Sequence, residues 1–590
     1  MCLPLALTFK SGSQLRSLFV TLLTCCHPTS PVALWNEFKE SICDDLERTL
    51  QHTFPGMDHP TQEEVFDYGL YLIDSLLFGL ARGLSDFPGM PRSVMNWEQR
   101  APHNQFIMEQ LNYDQNEETR KCQRNVALFT QEQRDVYDTV VGSAMVKEAG
   151  AFFLYAAGGC GKTFVSNTIC NRLRGNGEIV LCVASSGIAS ILLNGGRTVH
   201  SRFKVPIRVN ETTACAIPKG SPLADLLRMT SLIIYDEATM HDRFIPEAID
   251  RLLRDICGKD VLFGGIPALF SGDWRQCLPV IPKGSRQEVT GACLTRSYLW
   301  RSIKVLYLTQ NKRLEDHDQD FAKWLLEVGE GKHTSADGTV TLPAPVRCGD
   351  SLNKLFDSIY PGLDQPQEDS YFAERAILTS RNVEVKELNE QLLSRFPGEL
   401  KIYEGADSIQ IEEGVDVDAD VAQMYQPEFL ASLDASGLPL SKLKLKRGVP
   451  VMLLHNLDPA NGLCNGTRGV VINMSHRVIE IRITAGDFKG NTAFIPRIVL
   501  DSSDSDFPFK LRRRQFPLRL AFAMTINKSQ GQSLTYTGLD LRTPVFSHGQ
   551  LYVALSRCTS LCRIYVLFPA TEKETNTVNV VYNEALRFPT

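Results

Sequence analysis

Residues 151–173 read AFFLYAAGGCGKTFVSNTICNRL, and this stretch decides the fold. An apolar run ends in a glycine-rich turn, and a helical pattern follows the turn. In such a turn, backbone N–H groups surround phosphate oxygens at the positive end of a helix. Lys162 is expected to neutralise charge on the terminal phosphates, and the Thr163 hydroxyl to ligate magnesium. The stretch therefore predicts a strand, a phosphate-binding loop and a helix; the alternative is a glycine-rich turn with an incidental lysine.

One position departs from the usual pattern GxxxxGK[ST]. The pattern has a glycine where this chain has Ala156. An alanine there costs little if its φ is negative, and about 1 kcal/mol if its φ is positive. The backbone conformation at this position therefore decides whether the departure impairs turnover.

A second apolar run, residues 232–235, ends in Asp236 and Glu237. Carboxylates at the C-terminal end of a strand beside a phosphate loop lie where ligands bind in open α/β sheets. Asp236 is expected to hold the magnesium, and Glu237 to act on the attacking water as a general base. The alternative is a solvated acidic pair at a strand end.

Two later strand ends carry candidates for contact with a γ-phosphate. Gln276 follows the apolar run 267–271, and Arg313 follows the run 305–308. A glutamine can contact both the γ-phosphate and the attacking water, which would couple hydrolysis to a change of conformation. A surface cation is the alternative for Arg313.

Short apolar runs alternate with helical stretches between about residues 150 and 310, which is typical of βα units on a parallel sheet. A second set of such runs begins near residue 375 and resumes near residue 520, with a β-rich stretch of about 440–500 between its parts. The first 125 residues show helical patterns broken by Pro and Gly. The sequence therefore predicts an α/β protein with two lobes, a small β domain inserted in the second lobe, and a helical N-terminal segment.

The charge of the chain is unevenly distributed. It carries 62 Lys+Arg and 68 Asp+Glu, a formal net charge of -6, and residues 1–125 hold the whole excess with 10 basic and 16 acidic residues. This balance excludes a small protein that binds nucleic acid by a high overall positive charge, so any polyanion-binding surface must be local. The basic clusters 442–447 and 510–514 are candidates for such a surface, and solvated charged faces are the alternative.

The apolar run 18–26 is too short to span a bilayer, and a buried helix is favoured there over a leader peptide.

The motifs together resemble the superfamily 1 helicases, and within them the Pif-type DNA helicases, with the form found in Helitron transposons closest. The resemblance runs from about Phe129 to Phe568. It rests on the stretches FTQEQ (129–133), AAGGCGKT (156–163), ASSGIAS (184–190), GGRTVHSRFKVP (195–206), IIYDEATM (233–240), FSGDWRQCLPVIPKGSR (270–286), LTQNKR (308–313), LDPANGLCNGTRG (457–469), FAMTINKSQGQSL (522–534) and YVALSRC (552–558).

The resemblance implies two RecA-like P-loop NTPase lobes with a small SH3-like, β-rich insertion in the second lobe. The expected boundaries are 1–125 for a Helitron-linker-like helical segment, 126–315 for lobe 1 with a β-hairpin or wedge near 198–225, 316–440 and 516–590 for lobe 2, and 441–515 for the insertion. The implied activity is that of an ATP-dependent DNA helicase, in which ssDNA-stimulated ATP hydrolysis drives 5′-to-3′ translocation and duplex unwinding. ATP and Mg²⁺ are the expected cofactors, single-stranded and forked duplex DNA are the expected partners, and no membrane partner is expected.

The resemblance also assigns residues to roles. The catalytic residues would be Lys162, Asp236, Glu237, Gln276, Arg313 and Arg557, of which Arg557 would reach across the cleft from the second lobe. The nucleotide contacts would be Gln133, which reads the adenine, and Gly158, Gly159, Cys160, Gly161, Lys162 and Thr163. Thr163 and Asp236 would hold the metal. The DNA contacts would be Ser185, Ser186, His200, Phe203, Thr525, Asn527 and Lys528.

Helitron proteins carry an upstream Rep nuclease with a His-hydrophobic-His motif, and no HxH occurs in this chain. The chain is therefore expected to be the C-terminal part of a longer element whose nuclease region is not included, or the product of a gene whose start is placed too late. A catalytically silent nucleic-acid-binding remnant and an ATP-driven enzyme acting on RNA are the alternative functions. DNA repair, recombination, telomere maintenance and transposition are the expected pathways. A nuclear location is expected from the substrate, with the mitochondrion as the alternative.

Overall fold

The structure is a computed structural model that describes residues 12–26, 28–54, 57, 59–79, 82–95, 97, 104–312, 319–365, 367–410, 427–433, 435, 437–486, 488–502 and 509–587. The chain forms two compact units, one of residues 1–103 with 396–520 and one of residues 104–395 with 521–590. The larger unit contains two parallel sheets. The sheet formed by residues 104–312 defines lobe 1, and the sheet formed by residues 319–395 and 521–587 defines lobe 2.

The helices are α1 (Gly12–Cys26), α2 (Pro31–Ile42), α3 (Leu46–Thr53), α4 (Gln62–Gly79), α5 (Gln105–Leu111), α6 (Gln115–Val126), α7 (Gln131–Val146), α8 (Lys162–Gly175), α9 (Gly187–Ile191), α10 (Val199–Phe203), α11 (Pro222–Arg228), α12 (Phe244–Cys257), α13 (Arg286–Gly291), α14 (Gln319–Gly329), α15 (Leu352–Ile359), α16 (Asp369–Ala373), α17 (Asn382–Arg395), α18 (Pro427–Ser432), α19 (Gln550–Leu555) and α20 (Asn583–Leu586). Among the described residues, none of these helices combines the length and apolar character that crossing a bilayer requires.

The strands are β1 (Ala151–Ala156), β2 (Ile179–Ala184), β3 (Arg197–Thr198), β4 (Thr230–Asp236), β5 (Ala268–Gly272), β6 (Ile303–Leu308), β7 (Thr339–Thr341), β8 (Arg375–Thr379), β9 (Lys401–Glu404), β10 (Ala406–Gln410), β11 (Lys442–Leu445), β12 (Pro450–Leu453), β13 (Arg468–Met474), β14 (Val478–Ile483), β15 (Thr492–Pro496), β16 (Ile498–Asp501), β17 (Lys510–Gln515), β18 (Leu518–Leu520), β19 (Ala523–Thr525), β20 (Tyr536–Asp540), β21 (Ile564–Leu567) and β22 (Asn576–Val578).

Lobe 1 is a six-stranded parallel sheet with the order β3-β2-β4-β5-β1-β6. Its four central strands, β1, β2, β4 and β5, are buried on both faces. Phe153 of β1 packs against Trp274 and Trp300 on one face, while Phe152 and Leu154 belong to the core on the other. Parallel strands covered on both faces have continuous apolar sequences, which is why these runs could be recognised. Since all the strands run the same way, the segments that follow β1, β4, β5 and β6 meet at one edge of the sheet.

Lobe 2 is a four-stranded parallel sheet with the order β19-β8-β20-β21. The pair of β7 and β22 is antiparallel and also belongs to the larger unit. Helix α19 lies between β20 and β21 in the chain, and Arg557 follows its C-cap residue, Ser556. The prediction of an α/β fold with two parallel-sheet lobes is therefore confirmed.

The smaller unit combines the N-terminal helices with antiparallel sheets. These sheets have the strand orders β15-β14-β13-β12-β18, β10-β17-β16 and β11-β9. Helix α1 approaches this β structure, because the Cys26 thiol donates a hydrogen bond to the Arg497 carbonyl at 3.0 Å and Phe494 packs against the helical core. The aromatic rings of Phe54, Tyr68 and Trp97 lie in contact inside that core.

The inserted unit differs in extent from the expected 441–515. It begins at Phe396 and ends at Leu520. The physical reason is strand pairing: β9 pairs with β11, β10 pairs with β17, and β18 pairs with β12. The N-terminal segment likewise separates from the larger unit near residue 103 and not near residue 125, because α6 packs against α8 of lobe 1.

The expected hairpin near residues 198–225 is not formed. This segment, which the structure describes throughout, consists of α10, a loop and the beginning of α11. Ile207 lies in the loop and is 91% exposed. The segment therefore projects an apolar side chain from a loop and not from a β-ribbon.

Candidate active site

The phosphate-binding loop joins β1 to α8, as predicted. Gly159 and Gly161 adopt φ values of 92° and 87°, a region that side-chain-bearing residues rarely occupy. A Cβ on Gly161 would also lie 2.6 Å from Nε2 of Gln133. Ala156 is instead the last residue of β1, is buried and has no positive φ, so its methyl group introduces no backbone strain.

Lys162 and Thr163 begin helix α8 and face the end of β4. The Lys162 ammonium group donates hydrogen bonds to the carbonyl groups of Ala156 at 2.7 Å and Ala157 at 3.2 Å. The Thr163 hydroxyl lies 3.4 Å from Oδ2 of Asp236. Two oxygen ligands of an octahedral Mg²⁺ at about 2.1 Å are about 3 Å apart, so this pair could hold such an ion.

Asp236 is fixed by its neighbours. Its Oδ1 accepts hydrogen bonds from the Ser271 hydroxyl at 2.6 Å and from the Glu237 backbone N–H at 2.9 Å. Oδ2, on the side of Thr163, is the oxygen that faces the loop. The orientation of the carboxylate is therefore set by β5 and by the turn that follows β4.

Glu237 is buried in a strained turn. Its φ is 51°, and its Oε2 has no hydrogen-bond partner among the described residues. Burial, with the neighbouring Asp236 carboxylate as a second cause, raises the pKa of Glu237 to about 7, although Lys162 and Arg557 oppose the shift. A carboxylate whose pKa lies near neutral pH is suited to accept a proton from water.

The structure brings most of the predicted residues to one pocket. Those that line it are Gly158, Gly159, Gly161, Lys162, Thr163, Asp236, Glu237, Gln276 and Arg557. The first eight come from lobe 1 and Arg557 from lobe 2. Arg557 is buried, and its guanidinium donates to the carbonyl groups of Val553 at 3.0 Å and Gln532 at 3.2 Å.

Gln133, Cys160 and Arg313 stand apart from this set. Gln133 is buried; its Oε1 accepts from the Thr130 backbone N–H at 3.1 Å and its Nε2 donates to the Cys160 carbonyl at 3.1 Å, so the structure gives it a contact with the loop backbone. The Cys160 side chain is buried beneath the loop and does not line the pocket. Arg313 lies outside the described residues.

Sequence reasoning missed five residues that line the pocket: Phe164, Ala189, Leu192, Lys312 and Gly531. Lys312 lines the pocket, and its backbone N–H donates to the Gly159 carbonyl at 2.9 Å. Gly531 reaches the pocket from lobe 2. Lys312 carried a signal, since it immediately precedes the predicted Arg313, whereas Gly531 lies within the stretch NKSQGQ and carried no chemistry of its own.

The predicted DNA contacts lie mainly at strand ends. Ser185 and Ser186 follow β2, and Thr525 ends β19 with Asn527 in the short turn after it; all four are partly exposed. His200 is partly exposed, with Nδ1 3.0 Å from the Val205 carbonyl. Lys528 is also partly exposed. These hydroxyl, amide and ammonium groups are of the kind that contact sugar and phosphate.

Phe203 corrects the sequence prediction. Phe203 is 0% exposed in the core of lobe 1, so its ring offers no face on which a base could stack.

A different aromatic side chain is accessible for stacking on a base, because Phe546 is 58% exposed. Its backbone N–H donates to Oε1 of Gln550, whose Nε2 donates to Oδ1 of Asn527 at 3.0 Å. No motif or spacing in the sequence singled out Phe546.

The basic clusters in the smaller unit are also largely engaged. Arg513 is 1% exposed and forms a paired ionic contact, at 2.5 and 3.2 Å, with Asp407, whose side chain is 4% exposed. It therefore cannot face DNA, and its inclusion in a basic surface was wrong. Arg512 pairs with Asp501 at 2.7 Å. The side chains of β11 alternate, since Leu443 and Leu445 are buried and Lys442 is exposed.

Comparison with known proteins gives consistent similarities. Residues 128–339 match the family described as PIF1-like helicase, and residues 428–474 match the family described as DNA helicase Pif1, 2B domain. The chain is 29% identical to the human ATP-dependent DNA helicase PIF1 over 430 residues, which cover 72% of this chain and 59% of the relative. It is 28% identical to the ATP-dependent DNA helicase Pif1 of Bdellovibrio bacteriovorus over 422 residues, covering 70% of this chain and 83% of the relative. The chain thus spans about three fifths of the length of the vertebrate relatives it matches.

Solved structures show the same fold. A Bacteroides Pif1 crystal structure with bound ssDNA matches with a TM-score of 0.54 and 24% identity, covering 75% of this chain and 92% of that one. A structure described as the basis for unwinding of forked dsDNA by two coordinating Pif1 helicases matches with a TM-score of 0.54 and 24% identity, covering 75% and 93%. Both similarities concern the arrangement of the backbone.

Proposed function

We propose that this chain, whose matched segments belong to the Pif1-like family of superfamily 1 helicases, is an ATP-dependent DNA helicase. One observation carries the proposal. Lys162, Asp236 and Glu237 of lobe 1 line the same pocket as Arg557 of lobe 2. A nucleotide in this pocket would touch both lobes, so its hydrolysis would change their relative position.

Each group of residues in the pocket would have its own role in ATP hydrolysis. The loop and Lys162 would hold the phosphates of ATP, and Thr163 and Asp236 would hold a Mg²⁺ ion, which supplies positive charge to the terminal phosphates. Glu237 would accept the proton of the attacking water. Arg557 would stabilise the charge that develops on the transferred phosphoryl group, a contribution of about 10³–10⁵ in rate in other NTPases.

Gln276 and Gln530 support a link between the nucleotide and the DNA surface. Gln276 lines the pocket, and Nε2 of Gln530 lies 3.4 Å from its Oε1. Gln530 follows the turn that contains Asn527, one of the proposed DNA contacts. A change in the contact between Gln276 and the γ-phosphate would therefore pass through Gln530 to the turn that contains Asn527.

The family resemblance supports 5′-to-3′ movement, which forked substrates with a single 5′ or 3′ tail would test.

The decisive experiment is ATP hydrolysis by the purified chain with and without ssDNA. We expect stimulation by ssDNA, and loss of hydrolysis in Lys162→Ala. Lys219→Ala is the matched control, because Lys219 is exposed on the same lobe and pairs with Asp255 at 2.7 Å. A wild-type protein that ssDNA does not stimulate would remove the helicase proposal. It would favour the silent binding remnant, for which the conformation of Ala156 gives no support.

The DNA surface has its own test. We propose that Phe546 stacks on a base beside Thr525 and Asn527, a contact worth about 1–3 kcal/mol per base when replaced by alanine. Phe546→Ala should therefore weaken ssDNA binding by about 5- to 150-fold. Val383→Ala, which removes another exposed apolar side chain from lobe 2, should leave binding unchanged. Equal affinities of the two variants would remove Phe546 from the interface.

We also propose that the loop containing Ile207 separates duplex strands. Apolar side chains that enter nucleic acid act as wedges between base steps. Ile207→Ser should therefore reduce the unwinding of forked duplex while ssDNA-stimulated ATP hydrolysis stays at the wild-type rate. Unchanged unwinding would assign the loop to another role.

The cellular setting follows from the proposed substrate. We place the activity in the nucleus, in repair, recombination, telomere maintenance or Helitron transposition, with a Rep nuclease region as a partner in the last case. Fractionation of cells that express the tagged chain would test the location, and a cytosolic or mitochondrial signal alone would contradict it.

A further inference from the structure

Two side chains of the segment that follows β5, Asp273 and Arg275, form hydrogen bonds with side chains of lobe 2. Asp273 is fully buried, and its Oδ2 accepts a hydrogen bond from the Tyr552 hydroxyl at 2.8 Å. Its Oδ1 accepts from the Arg275 guanidinium at 3.1 Å. A buried carboxylate of lobe 1 therefore depends on a tyrosine of α19, in lobe 2, for one of its donors.

Arg275 extends this contact. Its guanidinium donates to Oε1 of Glu330 at 3.0 Å, directly after α14, and lies 5.0 Å from the centre of the Tyr155 ring. Burial opposes the charge of Arg275, but the Asp273 carboxylate and the hydrogen bond with Glu330 outweigh burial and raise its pKa, so it stays charged. Arg275 thereby joins the ends of β1 and β5 to lobe 2.

The backbones approach so closely here that two glycines are required. A Cβ on Gly549, whose φ is 72°, would lie 2.3 Å from the Arg275 carbonyl. A Cβ on Gly329 would lie 2.9 Å from the Tyr552 ring and 3.0 Å from the Arg275 side chain. No side chain could separate these surfaces without moving one lobe away from the other.

His548 closes the same contact from the other side. Its Nδ1 accepts from the Tyr582 backbone N–H at 2.7 Å, so the proton of the neutral ring is on Nε2, which donates to the Trp274 carbonyl at 2.8 Å. Burial lowers the pKa of His548 to about 4, so the imidazole ring is uncharged at physiological pH.

The position of Tyr552 links the contact to the pocket. Tyr552 and Arg557 share the α19 segment, and the Arg557 guanidinium is fixed to the Val553 carbonyl of that same helix. On the other lobe, Asp273 precedes Gln276, which lines the pocket. The bond between Asp273 and Tyr552 therefore sits between the two segments that present Gln276 and Arg557 to the nucleotide.

We propose that Asp273, Arg275 and Tyr552 are positioning residues that hold Arg557 in register with Glu237 across the pocket. None of the three lines the pocket, and they act through the placement of α19. When the lobes move apart, the Tyr552 hydroxyl leaves Asp273 and Arg557 leaves the pocket with it. This inference rests on the proposed ATP hydrolysis and adds residues that set its rate.

The test compares two variants that each remove one buried tyrosine hydroxyl from lobe 2. Tyr552→Phe removes the donor to Asp273. Tyr360→Phe is the matched control, because the Tyr360 hydroxyl is equally buried and donates at 2.6 Å to the Phe522 carbonyl, away from the pocket. We expect Tyr552→Phe to lower kcat of ssDNA-stimulated hydrolysis by about 10- to 100-fold, the effect of a small misplacement of a catalytic group. KM for ATP should change by less than about 2-fold, since binding in the ground state is retained.

A second comparison separates positioning from a general structural role. In an Arg557→Ala background, Tyr552→Phe should cause no further loss, because the residue through which it acts is already gone. Asp273→Asn, which keeps an acceptor for Tyr552 but removes the charge that faces Arg275, serves as a second variant if Tyr552→Phe lowers the melting temperature more than Tyr360→Phe does. We expect Asp273→Asn to show the same loss of kcat at unchanged KM.

The outcomes are distinct. Equal kcat in Tyr552→Phe and Tyr360→Phe, or losses that multiply with Arg557→Ala, would overturn the positioning role while leaving the proposed function intact. A wild-type chain without ssDNA-stimulated hydrolysis would overturn the proposed function itself.

Discussion

Replacing Glu237 with glutamine should stabilise the protein at neutral and alkaline pH. The Glu237 carboxyl is buried, its Oε2 has no partner among the described residues, and its pKa is raised from 4.5 to about 7. In the unfolded chain the same carboxyl titrates at its ordinary value. Between these two values the folded protein retains a proton that the unfolded chain has released, so the free energy of unfolding falls as the pH rises through this window.

The size of the effect follows from the shift. Each pKa unit corresponds to about 1.4 kcal/mol, so the displacement of Glu237 destabilises the protein by about 3 kcal/mol above pH 7 and by little below pH 4.5. A glutamine side chain does not titrate, so the Glu237→Gln variant escapes this loss. The stability difference between Glu237→Gln and wild type should grow by about 2–3 kcal/mol between about pH 5 and about pH 8.

The assay is thermal unfolding of the nucleotide-free proteins across that pH range. For domains of 150–250 residues, 1 kcal/mol moves the melting temperature by about 2–4 °C, so a gain of several degrees at the alkaline end is expected. A constant offset from the new amide cancels, because only the change with pH is read. Glu211→Gln, at an exposed position of the same lobe, is the matched control. A difference for Glu237→Gln that stays flat, or that shrinks as the pH rises, would refute this account of the buried carboxyl.

Further substitutions test the loop and the smaller unit. Ala156→Gly should leave ATP hydrolysis within about 2-fold of wild type, since Ala156 has no positive φ to relieve. Gly161→Ala should abolish hydrolysis and nucleotide binding, because the new Cβ would meet Gln133 and φ is 87°; retained nucleotide affinity in a binding titration would contradict this. Arg513→Met should destabilise the protein by about 3–5 kcal/mol in urea unfolding, because Asp407 would remain buried without its partner; an unchanged midpoint would show that Asp407 finds another counter-charge.

The parts of the fold that the sequence predicted are those with a single local cause. The strand before the phosphate loop is apolar throughout because parallel strands are buried on both faces, and Gly161 is required by its own backbone angle. Asp236 and Glu237 could be placed near the loop because parallel strands end at one edge of the sheet. The inference about Gly161 is local, and the inference about Asp236 and Glu237 needed only the general rule for parallel sheets, without knowledge of any particular side-chain contact.

The predictions that the structure contradicts depend on contacts between distant segments of the chain. Phe203 and Arg513 were chosen for their chemistry, yet burial decides whether that chemistry reaches a ligand, and burial depends on segments far away in the chain. The insertion was placed too narrowly because β9 and β10 pair with strands that begin much later, β11 and β17. The contact between Asp273 and Tyr552 joins residues from different lobes, so neither residue type nor spacing pointed to it.

Ion pairs in the structure reduce the positive charge that the basic clusters can offer to a polyanion. In a chain of net charge -6, the sequence made the cations at 442–447 and 510–514 candidates for a local polyanion-binding surface. In the structure Arg513 neutralises Asp407, Arg512 pairs with Asp501 and Lys442 lies 3.7 Å from Glu404. These cations stabilise the smaller unit or are partly neutralised at its surface, and they add less to a polyanion-binding field than their number implies. The proposed DNA contacts in the larger unit are mostly hydroxyl and amide groups, together with His200, Lys528 and the Phe546 ring. Such a surface would hold a strand by hydrogen bonds and stacking, which suits the proposed helicase, because its lobes would have to release and rebind the strand as they move.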